Sequence, residues 1–146
     1  MTQLTEHFSL AELTVSEVAA RKGLDNTPDA DSEENLRILA SYLEQIRALL
    51  GVPLHINSAF RAPKVNVAVG GSGTSSHCAG EAADFTARQF GTPQDIAHAI
   101  MASDIPYDQL IYEGTWLHFG IREPMRKQEL TAHFAGGRVT YTAGIA

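Results

Sequence analysis

His77, Asp84 and His118 are of the residue types that together hold a catalytic divalent metal. Two imidazoles and one carboxylate are a usual donor set for zinc, each about 2 Å from the ion, with the fourth position left open to solvent. His77 and Asp84 share the stretch Ser75-Ser76-His77-Cys78-Ala79-Gly80-Glu81-Ala82-Ala83-Asp84, whereas His118 is distant. Their spacing would place both on one face of a helix, but Gly80 between them costs a helix about 1 kcal/mol. A turn at Gly80 leading into a strand that carries Asp84 is therefore expected. A His–Asp pair alone fits a buried imidazole oriented by an acid better than a metal site. His118, with an acid of its own nearby, moves the reading toward a metal site.

That acid is Glu113. Gln109-Leu110-Ile111-Tyr112-Glu113 and Trp116-Leu117-His118-Phe119-Gly120-Ile121 read as a hairpin turned at Gly114-Thr115. Alternation puts Gln109, Ile111, Glu113, Trp116 and His118 on one face, and Leu110, Tyr112, Leu117, Phe119 and Ile121 on the other, apolar one. Glu113 and His118 are then diagonal neighbours, about 7–8 Å apart at the backbone. Read alone, Glu113 would be a solvated acid at a hairpin end.

The elements that position these groups are legible in varying degree. Phe8-Ser9-Leu10-Ala11-Glu12-Leu13 opens a first helix with Ser9 as N-cap, Glu12 completing a capping box and Phe8 stapled to Leu13; Gly23 ends it. Asp25-Asn26-Thr27-Pro28-Asp29 is a polar loop. Ser32 to Leu50 is the clearest helix, with Leu36, Leu39, Leu43, Ile46 and Leu50 forming one apolar stripe and Gly51 the stop. Leu54 to Arg61 alternates like a strand, Val65 to Val69 is short and apolar, and Gly70-Gly71-Ser72-Gly73-Thr74 is a flexible approach to the central stretch. That loop lacks the Gly-Lys-Ser/Thr ending of a phosphate-binding loop, so nucleotide binding is set aside. Ala82 to Ala87 is a buried strand, and Thr92-Pro93-Gln94-Asp95 starts a capped helix buried through Ile96, Ala97, Ile100 and Met101. Beyond Ile121 the pattern weakens to a charged run, a turn at Gly136-Gly137 and a short edge strand at Arg138–Thr142.

Composition narrows the function classes. The chain has 146 residues, which is one domain by size, and its 44% hydrophobic and 19% charged residues are ordinary for a globular protein. A net charge of −6 argues against nucleic acid, which is bound by clustered cations, and against an anionic membrane surface. The single cysteine, Cys78, excludes an internal disulfide. No apolar run approaches the roughly 18 residues of a spanning helix, and Met1–His7 lacks the pattern of a secretory leader. Synthesis in the cytoplasm is expected, with release by some other agent if the protein acts elsewhere.

Ser75-x-His77-x-x-Gly80-x-Ala82-x-Asp84, followed by Trp116-x-His118, resembles the zinc D-alanyl-D-alanine carboxypeptidase and endopeptidase family, which shares its fold with the Hedgehog signalling domain. His7-Phe8-Ser9-Leu10-Ala11-Glu12-Leu13, Asn26-Thr27-Pro28, Ser58-Ala59-Phe60-Arg61, Asn66 and Gly70-Gly71 are similar to its phage and bacterial cell-wall branch. The resemblance covers about residues 7–121, leaving 122–146 as a C-terminal extension of a single domain, 1–146. It implies an α+β fold with a small antiparallel sheet and helices packed on one side. It further implies one zinc ion on His77, Asp84 and His118, Glu113 as general base, Arg61 polarising the scissile carbonyl or holding a peptide carboxylate, and Ser75 and Trp116 against the substrate. Arg61 by itself would be read as a surface ion pair. Many relatives carry an acid or a histidine two or three residues before the last ligand, where this chain has Trp116 and Thr115; Glu113 resembles the acid of the phage-type branch. The substrate implied is a peptidoglycan stem peptide, cut as by a D,D-carboxypeptidase or an endopeptidase; a small single domain without a leader pattern suits a phage lysis or virion-associated enzyme, and a monomer is expected.

Two rival readings are a zinc-containing protein that binds wall peptide without cutting it, and a structural phage component without stoichiometric zinc. His7, His98 and His133 have no expected role in the site, His55 points toward it at most from outside, and Cys78 is expected as a free, partly buried thiol.

Overall fold

The computed structural model describes residues 2–146. Strands β1 (His55–Ser58), β2 (Ala82–Thr86), β3 (Gln109–Tyr112), β4 (Leu117–Gly120), β5 (Gln128–Ala135) and β6 (Arg138–Ala143) form one six-stranded sheet in the order β1-β2-β4-β3-β5-β6. Every neighbouring pair is antiparallel except β3 and β5.

Helix α3 (Ala30–Leu50) supplies most of the packing against this sheet. Asp29 caps it by accepting from the Ser32 N–H, and Gly51 ends it in the left-handed conformation at φ 72°. Its stripe of Leu36, Leu39, Leu43, Ile46 and Leu50 is buried, each side chain worth about 1.5–3 kcal/mol of transfer free energy. The stripe meets Ile96, Ala97 and Ile100 of α5 (Pro93–Met101) and, from the sheet, Ala83, Phe85, Leu110, Leu117, Phe119 and Ile121 in one apolar cluster. Helix α5 begins with the full capping box between Thr92 and Asp95. The apolar face of the β3–β4 hairpin thus turns to the helices, and its polar face turns away. The α+β architecture with helices on one side of the sheet is the one the sequence implies.

Three segments differ from expectation. The first helix is two: α1 (Leu10–Leu13), capped by Ser9, and α2 (Glu17–Lys22), capped by Ser16 and ended by Gly23. Thr14 turns its hydroxyl back onto the Leu10 carbonyl at 2.8 Å and Ser16 accepts from the Ala19 N–H at 3.1 Å, so local side-chain bonds compete with the continuous helix. The strand expected over Leu54–Arg61 stops at Ser58. Beyond it the Phe60 N–H reaches the Leu13 carbonyl and the Arg61 N–H reaches the His77 carbonyl, instead of a sheet neighbour. The apolar run at Val65 is a short helix, α4 (Pro63–Ala68), started by its proline.

The C-terminal residues build two strands, where the sequence pattern pointed only to an edge strand. β5 alternates Leu130, Ala132 and Phe134 against Glu129, Thr131 and His133, and joins β6 through Gly136-Gly137, both at positive φ as a tight hairpin turn requires. No helix among the described residues is long and apolar enough to cross a membrane.

Candidate metal centre

Sheet register carries two of the donors to one place. Asp84 of β2 pairs directly with His118 of β4, which pairs in turn with Ile111 of β3. Asp84 and His118 therefore project together from the sheet face opposite the helices. His77 arrives from a single 3-10 turn, Ser76–Ala79, capped by the Ser75 hydroxyl and closed by Gly80 at φ 74°. A methyl group at Gly80 would lie 2.7 Å from the Ser32 carbonyl oxygen, so both the left-handed backbone and the close approach to α3 require glycine. The turn at Gly80 and the strand through Asp84 are as expected from the sequence.

The three donor groups converge. Asp84 Oδ1 lies 2.9 Å from His118 Nδ1, Asp84 Oδ2 lies 3.3 Å from His77 Nε2, and one donor atom from each residue falls within 4.8 Å of the others. The two imidazole centroids are 5.1 Å apart. All three residues are buried.

Hydrogen bonding decides what His77 offers. Its Nδ1 sits 2.6 Å from the Ala59 carbonyl oxygen, which can only accept, so Nδ1 carries the proton and Nε2 presents its lone pair. That lone pair faces Asp84 Oδ2, leaving two acceptors opposed in a buried site, an arrangement a cation between them satisfies. Two donors bound at about 2.0–2.1 Å with tetrahedral angles stand about 3.3 Å apart, the separation found here. The donor set and its spacing fit zinc, and the backbone carbonyl behind His77 is the kind of outer partner that fixes a ligand imidazole. Burial raises the Asp84 carboxyl, but the two imidazoles in their protonated form outweigh it and hold Asp84 well below the usual range, so the carboxylate is the form it presents. Burial pushes the His118 imidazole down, and its bond to Asp84 with the charges of Asp84 and Glu113 reverses that to a net rise.

Around the cluster lies a cavity of about 710 Å³, in the size range of small-ligand sites, whose lining includes Arg61, Ser75, Glu113, Trp116 and Arg122. Glu113 and Trp116 close the β3–β4 hairpin, and the Trp116 indole N–H donates to Glu113 Oε1 at 2.6 Å. Burial foremost, then the charge of Asp84, raises the Glu113 carboxyl, against the lowering effects of His118, Trp116 and His77. Arg61 has no acidic partner among the described residues. Its Nη2 donates to Ser75 Oγ at 3.1 Å, and its buried Nε has no acceptor among the described residues. The surface ion pair that arginine would ordinarily make is not formed here.

The approach to the site is braced from two directions. Asn26 donates to the carbonyls of Thr14 and Phe60 and accepts from the Ala62 N–H, clamping the segment that carries Ala59 and Arg61. Asn66 holds the Ser72 carbonyl, and its side chain lies so close to Gly71 that no Cβ fits there. Arg122 reaches Glu81 and the carbonyls of Thr74 and Ser75, tying the glycine loop to the sheet.

Of the other candidates, His55 falls on the site's face beside Thr86 but is exposed and outside the cluster. His7 binds Glu44 of α3 through both its backbone N–H and its ring. His98 and His133 meet the Ala146 carbonyl and Thr142. Cys78 is a free, half-buried thiol. What the sequence did not single out is Asp108, Arg126, Val139 and Tyr141, which line the same cavity. Alternation within 138–142 marked Val139 and Tyr141 as sharing a face, but not which face.

No curated protein matches the chain. The family model described as Peptidase M15 matches residues 6–119, a span that contains the whole donor set, Arg61, Glu113 and the helices that back the sheet. With that match over most of its length, the chain belongs to the Peptidase M15 family of zinc-dependent metallopeptidases.

Proposed function

We propose that this protein hydrolyses a peptide bond in peptidoglycan stem peptides, as a D,D-carboxypeptidase or an endopeptidase, with one zinc ion on His77, Asp84 and His118. The observation that carries the reading is the opposed pair of acceptors, His77 Nε2 and Asp84 Oδ2, with His118 completing the set on an open cavity. Zinc in such a site supplies Lewis acidity toward a carbonyl and makes water nucleophilic near neutral pH.

The chain's own groups do the rest. Glu113, on the cavity side of the sheet, takes the proton of the attacking water and delivers it to the leaving amine. Its raised carboxyl suits both halves of that transfer. Trp116 fixes the carboxylate through Oε1 and leaves Oε2 for the reaction. The Arg61 guanidinium, held by Ser75 and lacking an acid, receives the oxyanion or a peptide carboxylate. Ser75 and Trp116 flank the substrate. The source most consistent with this reading is a phage lysis or virion-associated enzyme.

Mass spectrometry of muropeptides digested with the zinc-loaded protein tests it. New peptide termini should form with wild type and be lost with His118→Ala. Intact muropeptides with stoichiometric zinc bound would favour a wall-peptide-binding protein, and a protein that takes up no zinc would refute the metal site.

A further inference from the structure

The row of side chains holding the metal donors does not end at the hairpin. Register links Ser58, Asp84, His118, Ile111, Leu130 and Ala143 in one line across all six strands. Directly paired residues share a face, so Leu130 of β5 lies on the donor side. The next residues of that side follow by alternation: Ala132 and Phe134 on β5, with their partners Tyr141 and Val139 on β6. Continuing the β3–β5 register by one position sets Ala132 opposite Glu113. Tyr141 is thus in Glu113's row, two strands away, at about 10 Å between backbones in a flat sheet.

Tyr141 and Val139 line the same cavity as Asp84 and His118. The phenol of Tyr141 also senses that neighbourhood, since burial and then the charges of Glu113 and Asp84 raise it. Yet Phe134, Val139 and Tyr141 are 62%, 43% and 51% exposed, an apolar shelf without a cover among the described residues, beside a polar cleft. Such a patch continuous with a binding cavity marks a contact surface for a ligand. Arg61, by contrast, enters from beyond β1, at the opposite end of the sheet order.

We propose that the β5–β6 hairpin is a substrate subsite, in which Val139 and Tyr141 hold the part of the peptide lying across the metal cluster from Arg61. The apolar shelf takes an aliphatic side chain and the Tyr141 O–H donates to a peptide carbonyl. The substrate is then an extended peptide of three or more residues crossing the strands, and a dipeptide leaves the shelf empty. This subsite rests on the peptidase reading above, and it lies beyond the residues matched by the family model.

The test uses the full-length, zinc-loaded protein with two probes, N-acetylated L-Lys-D-Ala-D-Ala and the dipeptide D-Ala-D-Ala. Tyr141→Ala and Val139→Ala should each raise KM for the tripeptide about tenfold, equivalent to about 1.4 kcal/mol, with a smaller effect on the dipeptide. Tyr141→Phe should recover the part due to the ring. Calorimetric binding of the tripeptide at a temperature where turnover is slow should weaken in parallel, with zinc content unchanged. Exposed side chains such as these are replaced at little cost to folding.

Unchanged tripeptide KM and binding in both alanine variants would overturn the subsite while leaving the peptidase reading intact. So would a concentration-dependent dimer that Tyr141→Ala disrupts while peptide binding stays the same, because the shelf would then cover a second copy. A wild type that neither binds nor cleaves either probe or any muropeptide would sink the peptidase reading and the subsite together.

Discussion

Across the end of the β3–β4 hairpin, Trp116 donates its indole N–H to Oε1 of Glu113 at 2.6 Å, while the Glu113 backbone N–H donates to the Trp116 carbonyl at 3.1 Å. The proposed base is therefore held at both main chain and side chain. Glu113→Gln keeps an oxygen for the indole and removes only the proton acceptor. It should lower kcat by about 10²–10⁴-fold with zinc stoichiometry and melting temperature close to wild type. Steady-state kinetics with metal analysis checks this, and a loss under tenfold would remove Glu113 from the role.

Asn26 satisfies two carbonyls and one N–H that no strand reaches. Asn26→Ala leaves those groups without partners and should destabilise the protein by about 1–3 kcal/mol. Because the freed segment carries Ala59 and Arg61, kcat/KM should fall as well, in conditions where the variant remains folded. Denaturant titration and kinetics on the same sample separate the two effects.

Gly80→Ala meets two obstacles at once, a left-handed backbone and the Ser32 carbonyl 2.7 Å from the new methyl group. The cost should be at least about 1–3 kcal/mol, seen as a lower melting temperature. Since Gly80 closes the turn that presents His77, zinc affinity measured against a chelator should drop too.

Asp108, buried just before β3, accepts from the Arg126 guanidinium at 2.8 and 3.0 Å and from the Arg126 N–H at 3.0 Å. The Arg126 side chain hydrogen bonds foremost hold its carboxyl below the usual value, against the effect of burial. A depressed carboxyl stabilises the fold above its unfolded pKa of about 3.9 and loses that contribution as pH falls through the folded value. Asp108→Asn should therefore cost about 1 kcal/mol at neutral pH, less than a fully buried charged bond because Arg126 is half in water. The difference from wild type should shrink below about pH 4. Melting curves across pH 3–7 test the sign.

The legible parts of this molecule were those governed by local pattern. The stripe of α3, the capping box of α5 and the alternation of β3 and β4 fix which side chains face the core, and with them the side on which Glu113 and His118 sit. The Ser9–Gly23 segment misled because Ser16 is as good a helix start as Ser9, and pattern alone does not show that the chain restarts there. The role of the C-terminal hairpin was hidden for a different reason. β5 pairs in parallel with β3, a long-range contact with no turn signal to announce it. Without that pairing nothing ties Tyr141 to the site; with it, the edge strand β6 sets the ring among the residues that line the cleft. Likewise nothing in the sequence connects Ala59 to His77, because the link is a backbone carbonyl.

Asp84 and His118 become neighbours only when β2 lies beside β4, and the His77 turn is docked by the Ser32 end of α3 and by the chain leaving β1. An unfolded chain has no preformed claw for a cation, so the complete donor set exists only in the folded protein. Zinc uptake then serves as a clock for the final stage of refolding, and stripping the ion should silence the enzyme while the hydrophobic scaffold stays intact.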